Sequence, residues 1–276
     1  MQFSTLEKLT ISELTVLFNK SFADYFVKIE FTPDLLKEKI YSEDIQLDKS
    51  VGVFLNNEPT GFILHAIRNN RAYNAGTGVI PAFRGNNATC KMYDFILPIL
   101  KKAGVSEIEL EVIQQNTPAI KSYRKIGFEK ENILKCFEGK INASPVNKHI
   151  KVKETTDTDF AHLEKWWNWK PTWQYSTETI KKSSSYKVFC AFLNNRICGY
   201  MVANLNSGRV AQFAVNPANR NQGIATALLQ HLSDLYNGQL TINNVDGEQP
   251  ESLSFLTNRS LNPFLTQYKM KLILTT

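Results

Sequence analysis

Apolar residues between Ile224 and Leu235 fall at Ile224, Ala227, Leu228, Leu232 and Leu235, the three-and-four spacing of one helical face. Just upstream, a β-branched run stops at Val215, and Pro217, Arg220 and Gly223 follow before the helical pattern begins. The segment VNPANRNQGIATALLQHLSDLY therefore reads as strand, loop and helix within a few residues. An earlier stretch from Val79 to Gly104, VIPAFRGNNATCKMYDFILPILKKAG, is an imperfect copy of it.

Other fragments recur in the same order. TISEL at Thr10 returns as TDTDF at Thr156, an offset of 146 residues, and FLNN at Phe54 returns at Phe192, an offset of 138. Each FLNN is followed four residues later by Gly and an aromatic residue, Gly61-Phe62 and Gly199-Tyr200. VIPAFR at Val79 returns as VNPANR at Val215, an offset of 136. A shrinking offset is what loop deletions in one copy of a duplicated domain produce. The joint is expected near Gly139–His149, a polar stretch with one Pro and no periodicity. The predicted domains are residues 1–141 and 149–276, with 142–148 as linker.

Each copy predicts the same elements. Thr10-x-x-Glu13 has the form of a capping box, and Thr156-x-x-Asp159 is read as its counterpart. Helices follow at Leu14–Phe22 and Phe160–Trp167, then at PDLLKEKI and TETIKK. Two alternating apolar runs joined by Asn-Asn predict a β-hairpin in each copy, because Asn tolerates the positive φ of a tight turn. A third strand, the Pro-x-x-Arg loop, an amphipathic helix, a strand (EIELEVI or QLTINNV), a last helix and a last strand complete the unit. Hairpins first and a β-loop-α-β unit later predict an α/β (α+β) fold built on a mixed sheet.

Composition narrows the class. With 276 residues, 43% apolar and 21% charged, the chain has enough material for two packed cores and does not look disordered. Glu7 and Glu13 interrupt the apolar part of the first segment, which therefore does not read as a signal peptide, and no apolar run has the length of a membrane span. Four cysteines without CxxC spacing suit a reducing compartment, so the expected location is cytoplasmic, with no structural metal. The net charge is +6; residues 1–141 carry 18 basic and 17 acidic groups, and 142–276 carry 14 and 9. The basic residues are scattered, so neither nucleic acid nor a membrane is an expected partner.

The loop itself points to an anion. A helix N-terminus leaves backbone N–H groups unpaired and carries partial positive charge. Gly223 removes a Cβ at the turn, Ala225 keeps the first turn slim and Arg220 adds a cation, while neither GxxxxGK[ST] nor GxGxxG is present. Placed after a strand and Pro, before an amphipathic helix, and in a repeated unit, Arg-x-x-Gly-x-Ala resembles the pyrophosphate loop of the Gcn5-related N-acetyltransferase (GNAT) family. NTPAIKSYRKIGF in the first copy resembles the family's second hallmark, with Asn116, Ala119, Tyr123 and Gly127-Phe128 at its spacing. PTWQYS, Pro171–Ser176, is similar to a stretch of some tandem members.

The resemblance covers nearly the whole chain twice. It implies two domains, each a mixed, mostly antiparallel sheet flanked by helices. It also implies an acyl-CoA-dependent N-acyltransferase that moves an acetyl group from acetyl-CoA to a small-molecule or peptide amine. The cofactor residues it implies are Phe213, Ala214 and Val215 on the strand, and Arg220, Asn221, Gln222, Gly223, Ile224, Ala225 and Thr226 in the loop and first turn. Tyr123 takes the role of proton donor to the departing thiolate, with core packing as the other reading. Each copy departs from the pattern in a different half. Asn87 and Thr89 stand at the loop positions of the first copy, and Leu256 stands where the second copy should have Tyr. A non-catalytic tandem module that binds CoA or a partner therefore remains open, as does a monomer with pseudo-dimeric domains against a homodimer.

For a general base the candidates are few. Glu107, Glu109 and Glu111 alternate on one strand face, either solvated or buried with raised pKa. Gln212 occupies the position where many relatives keep a Glu. Trp166, Trp167, Trp169 and Trp173 form either packing or an aromatic wall for the acceptor, and His231 reads as a packed histidine.

Overall fold

The computed structural model describes residues 1–142 and 147–274, so most of the expected linker, 143–146, lies outside the described residues. The chain packs as two compact units: Met1–Glu131 with Tyr268–Thr276, and Asn132–Gln267. The first unit thus includes the end of the chain.

In order, the first copy runs β1 (Gln2–Thr5), α1 (Ile11–Ser21), α2 (Pro33–Glu43), β2 (Val51–Leu55), β3 (Glu58–Arg68), β4 (Arg71–Val79), α3 (Ala88–Lys102), β5 (Glu107–Ile113), α4 (Thr117–Ile126) and β6 (Glu129–Gly139). The second runs β7 (Lys151–Thr155), α5 (Phe160–Leu163), α6 (Thr177–Lys182), β8 (Lys187–Leu193), β9 (Arg196–Asn204), β10 (Arg209–Val215), α7 (Ile224–Leu235), β11 (Leu240–Asp246), α8 (Pro250–Thr257) and β12 (Asn262–Ile273). In the first unit the strands lie in the order β1-β2-β3-β4-β5, with the end of β12 beside β5. In the second the order is β6-β11-β10-β9-β8-β7. β1-β2-β3-β4 and β6-β11, and likewise β10-β9-β8-β7, pair antiparallel, whereas β4 with β5 and β10 with β11 pair parallel.

Local chemistry explains most of these elements. Thr10 caps α1 in a complete capping box: Thr10 Oγ1 accepts from Glu13 N–H at 3.2 Å, and Glu13 Oε2 accepts from Thr10 N–H at 2.8 Å. Asn56 and Asn57 have φ of 51° and 66°, and Asn194 and Asn195 have 50° and 62°, the left-handed pair that closes a two-residue hairpin. The second copy's first helix differs from the expectation. Its N-cap is Asp159, not Thr156, and it covers only Phe160–Leu163 before a 3₁₀ turn at Glu164–Trp166. Asp159 satisfies His162 N–H alone, and the aromatic segment beyond cannot prolong the helix because it is drawn into tertiary contacts described below.

The cores sit on the faces of these sheets. In the second unit, Leu228, Leu229 and Leu232 of α7 pack with Met201, Ala203, Val210 and Ile242 on one face, while Phe160, Trp166, Tyr200 and Ala214 pack on the other. Gly199 lets α7 approach β9: a Cβ there would lie 2.6 Å from Ile224. His231 packs its ring on Phe189 at 5.4 Å. In the first unit the core takes Met270, Leu272 and Leu274 from the chain end, packed with Met92, Tyr93, Ile108 and Leu110. All four cysteines are buried and none is in a disulfide. Among the described residues no helix is long and apolar enough to cross a membrane.

Met270 is fully buried in the first unit's core. Met270→Ala should lower stability by about 2–5 kcal/mol through lost burial and the cavity left behind. Urea denaturation followed by hydrogen exchange should show the loss concentrated in α3, β5 and α4, although the residue is 1 of the last 7 in the chain.

Candidate functional site

The site in the second unit is set by a parallel pairing that stops early. β10 matches β11 only at Arg209↔Thr241 and Val210↔Ile242, while its other edge stays paired with β9 as far as Val215↔Gly199. A bulge between Val210 and Gln212 marks the point of divergence and re-aims the strand, as bulges do. Beyond it, the β11-facing backbone of Phe213, Ala214 and Val215 has no ladder partner. The first unit repeats the arrangement: β4 and β5 pair only from Arg71↔Glu107 to Tyr73↔Glu109, next to a bulge at the matching position.

After β10 the chain makes a 3₁₀ turn at Pro217–Asn219 and enters α7 through Asn221 and Gly223, with φ of 61° and 85°. No side chain caps α7, so its first N–H groups face outward without a partner. A Cβ built on Gly223 meets nothing within 4 Å, which leaves a bare concavity of amides at the helix mouth. Arg220 is anchored on carbonyls alone: its Nε donates to Val215 O at 3.4 Å and one terminal nitrogen donates to Trp166 O at 3.2 Å. Its charge is therefore not offset by a carboxylate.

These groups line an open cleft of about 450 Å³. The strand residues Phe213, Ala214 and Val215 and the loop residues Arg220, Asn221 and Gly223 border it, as do Ile224, Ala225 and Thr226 of the first helical turn. Gln222 is the exception; its amide turns away and donates to Ala218 O at 3.5 Å. The opposite wall is a stripe along α8 and its end, Glu251, Phe255 and Arg259, with Trp169 at one side. Trp169, Phe213 and Phe255 touch in sequence, with ring centroids 5.8 and 6.4 Å apart. The sequence pattern did not single out this α8 stripe, although its four-residue spacing is visible there.

The first unit's loop has the same backbone with the residues exchanged. Gly85 and Asn87 take φ of 87° and 53°, so Gly and Asn have traded the two left-handed positions that Asn221 and Gly223 hold in the second. Asn87 caps α3 without a side-chain hydrogen bond. The difference lies in the arginine. Arg84 grips Asp24 through two nitrogens at 2.7 Å each and also donates to Ser21 O and Val79 O. That contact holds the Asp24 carboxyl below its usual range and spends the charge that an anion would meet.

Polar groups fill the first unit's own divergence point. Tyr123 is buried, and burial pushes its hydroxyl up to about 12, offset in part by the side chains of Thr77 and Asn74. Asn74 also donates to Tyr93 Oη at 2.9 Å. The glutamates of β5 are not a solvated face. Glu109 is buried and paired with Arg71 at 2.5 Å, with Lys269 and Lys271 beside it, and Glu107 meets Arg71 at 2.7 Å. Glu111 accepts from Tyr73 Oη at 2.5 Å, and desolvation pushes its carboxyl up to about 7. Tyr123 is not among the residues lining the second unit's cleft.

Each unit thus has two parallel strands that part early, and in the second they part beside an uncapped, arginine-flanked helix mouth. The sequence profile of the Acetyltransferase (GNAT) family matches residues 15–128 and again 152–255, and the chain belongs to that family. Membership supports acyl-CoA-dependent N-acyltransferase activity in general, acting on amines. No curated protein matches the sequence. Among solved structures, the fold is similar to a GCN5-related N-acetyltransferase from Sphaerobacter thermophilus (TM-score 0.74, 12% identity, 99% of this chain and 95% of that one). It is also similar to a tandem GNAT protein from the clavulanic acid biosynthesis pathway, solved without AcCoA (TM-score 0.72, 9% identity, 100% and 99%). A third is a putative acetyltransferase from Pyrococcus horikoshii (TM-score 0.70, 15% identity, 99% and 89%).

Glu111 makes the stability of the chain depend on pH in a stated direction. Folded, its carboxyl keeps a proton up to about pH 7, whereas its ordinary value is 4.5. Between those values only the folded state holds the proton, so stability falls as pH rises, by on the order of 1 kcal/mol per pH unit, and levels off above the folded value. Glu111→Gln should remove this slope. Parallel urea titrations of the two proteins across that window check it; a constant difference between them would show that the carboxyl is not shifted.

Proposed function

We propose that the chain is an acyl-CoA-dependent N-acetyltransferase whose second unit binds acetyl-CoA, with an amine of a small molecule or peptide as acceptor. The observation that carries this reading is the bare amide concavity at Gly223, beside an arginine without a carboxylate partner and continuous with an unpaired strand edge. Diphosphate oxygens suit the first N–H groups of α7, and Arg220 is placed to add a charge-assisted contact. The β11-facing edge of the Phe213–Val215 stretch, on which Val215 O already accepts from Arg220, leaves the Phe213 backbone to pair with an amide of an extended pantetheine chain. Bound there, acetyl-CoA would supply an activated thioester.

Proton handling is better provided for in the first unit. Tyr123, protonated at neutral pH, suits donation to a departing thiolate, and Glu111, poised near 7, suits acceptance of a proton from an ammonium. The second unit has Leu256 where the first has Tyr123, and on β10 it has Gln212 where many relatives keep a Glu; neither side chain moves a proton. That pair favours the second reading for this half of the chain: a unit that holds the cofactor without transferring from it.

CoA should raise the melting temperature of the wild type, because it binds the native state. Gly223→Val should remove the shift, since a β-branched residue resists φ near 85° and fills the concavity, whereas Asn87→Val should change it little. Calorimetric titration separates the two arginines further. Arg220→Ala should weaken CoA by about 10- to 100-fold, and Arg84→Ala should leave affinity nearly unchanged because Asp24 already holds that side chain. Equal losses from both would place the cofactor elsewhere. Thiol release across a panel of amines tests the transferase reading itself.

A further inference from the structure

The strands β10 and β11 open a gap through the second unit's sheet, and the two sides of that gap are treated in opposite ways. Toward the start of α7 and α8 lies the open cleft of about 450 Å³, which Trp166, Asn168 and Trp169 also border. On the other side the segment Trp167–Tyr175 fills the opening. What remains there is a space of about 10 Å³ lined by Trp167, Pro171, Thr172, Tyr175, Gln212 and Asn243, among others, which is room for no more than about one water molecule.

The filling is held by hydrogen bonds from both strands. Gln212 Nε2 donates to Tyr175 O at 2.7 Å, and Gln212 Oε1 accepts from Tyr200 Oη at 3.0 Å. Tyr200 Oη in turn accepts from Trp167 Nε1. From β11, Asn244 Nδ2 donates to Thr172 Oγ1 at 3.0 Å and Asn243 Nδ2 to Tyr175 Oη at 3.2 Å, and Arg209 donates to the same hydroxyl at 3.1 Å. The residue identity at 212 follows from this arrangement. Its amide must donate to a carbonyl, which a carboxylate cannot do.

A thioester laid along β10 has two approaches for an attacking amine. One is the cleft mouth, which the carrier itself would fill, and the other is the gap, which the Trp167–Tyr175 segment closes. We infer that the second unit is a receptor for acyl-CoA that withholds the thioester from amines: it binds the carrier, its own sheet plug prevents transfer there, and transfer is left to the first unit, which holds Tyr123 and Glu111. This rests on the cofactor assignment made under Proposed function, and it makes the aromatic segment a seal and not an acceptor wall.

The test uses hydroxylamine, whose nitrogen attacks a thioester carbonyl and breaks the C–S bond to give acetohydroxamate and CoA thiol. The full chain carries Tyr123→Phe in every arm to silence the first unit, and protein is in excess over acetyl-CoA. Binding is measured first, by calorimetry. With protein at ten times its Kd, only about one tenth of the acetyl-CoA is free, so hydroxamate should form about tenfold more slowly than without protein. Adding Gly223→Val should restore the free rate by abolishing binding. Adding Gln212→Glu, which sets a carboxylate against Tyr175 O, should restore much of the free rate while CoA still binds. Gly223-dependent binding with no slowing of hydroxamate formation overturns the inference and leaves the cofactor assignment standing. Absence of Gly223-dependent binding overturns both. Because the comparison of the parent arm with Gly223→Val decides the question, it holds even if Gln212→Glu does not fold.

Discussion

The early parting of two parallel strands is the constraint on which the rest of this molecule depends. In a sheet every backbone N–H and C=O needs a partner, and a strand that loses one neighbour midway must find other partners or a ligand. β10 keeps β9 along its whole length but loses β11 after Val210, and the bulge at Ala211 turns the remaining residues toward the helix mouth at Gly223. The helix packs close to the sheet, because Ile224 sits on Gly199 where no side chain would fit. One free strand edge and one uncapped helix end are thereby held side by side on rigid elements, the condition for a preorganised binding surface.

The same scaffold occurs twice, yet electrostatics separates the copies. The left-handed backbone survives in both loops because Gly and Asn both tolerate it, so main-chain geometry alone does not distinguish them. What distinguishes them is the partner of the arginine. Arg84 lies in a bidentate pair with Asp24, which is worth little for stability at the exposed surface but occupies the fork that a phosphate would need. Arg220 rests on two carbonyls and keeps its charge available. In the first unit charge is directed inward instead. Arg71, Lys269 and Lys271 surround Glu109 and Glu107, and Glu111 at the end of that row bonds to a neutral phenol, which leaves its carboxyl desolvated.

Features fixed by short-range chemistry were legible in the sequence. The Thr10 box, the Asn-Asn turns, the strand at Glu107–Ile113 and the loop ahead of Ile224 all follow from residues within a few positions of one another. Features set by distant partners were not. The alternation of Glu107, Glu109 and Glu111 showed one face, but the cations that cover it come from β4 and from the chain end. The packing of Met270 and Leu272 into the first unit is likewise invisible locally, because a strand pattern does not name its neighbour. The helix expected from Phe160 to Trp167 failed for a related reason. Its aromatic residues satisfy helical spacing, yet Trp166 is drawn into the core and Trp167 into a hydrogen bond with Tyr200.

The sealed gap and the open cleft are two answers to one requirement. An opening in a sheet exposes polar groups of both bordering strands, and burying them unpaired would cost several kcal/mol in total. On the cleft side those groups face solvent, so they can wait for a ligand without penalty. On the other side the chain supplies its own partners, Tyr175 and Thr172, and the bordering strands carry amides, Gln212, Asn243 and Asn244, that can donate to them. Three amide side chains donate into one plug, and such a network favours a single geometry because any slip leaves buried donors without acceptors. The amide at 212, which cannot serve as a base, is the one that holds Tyr175 in place.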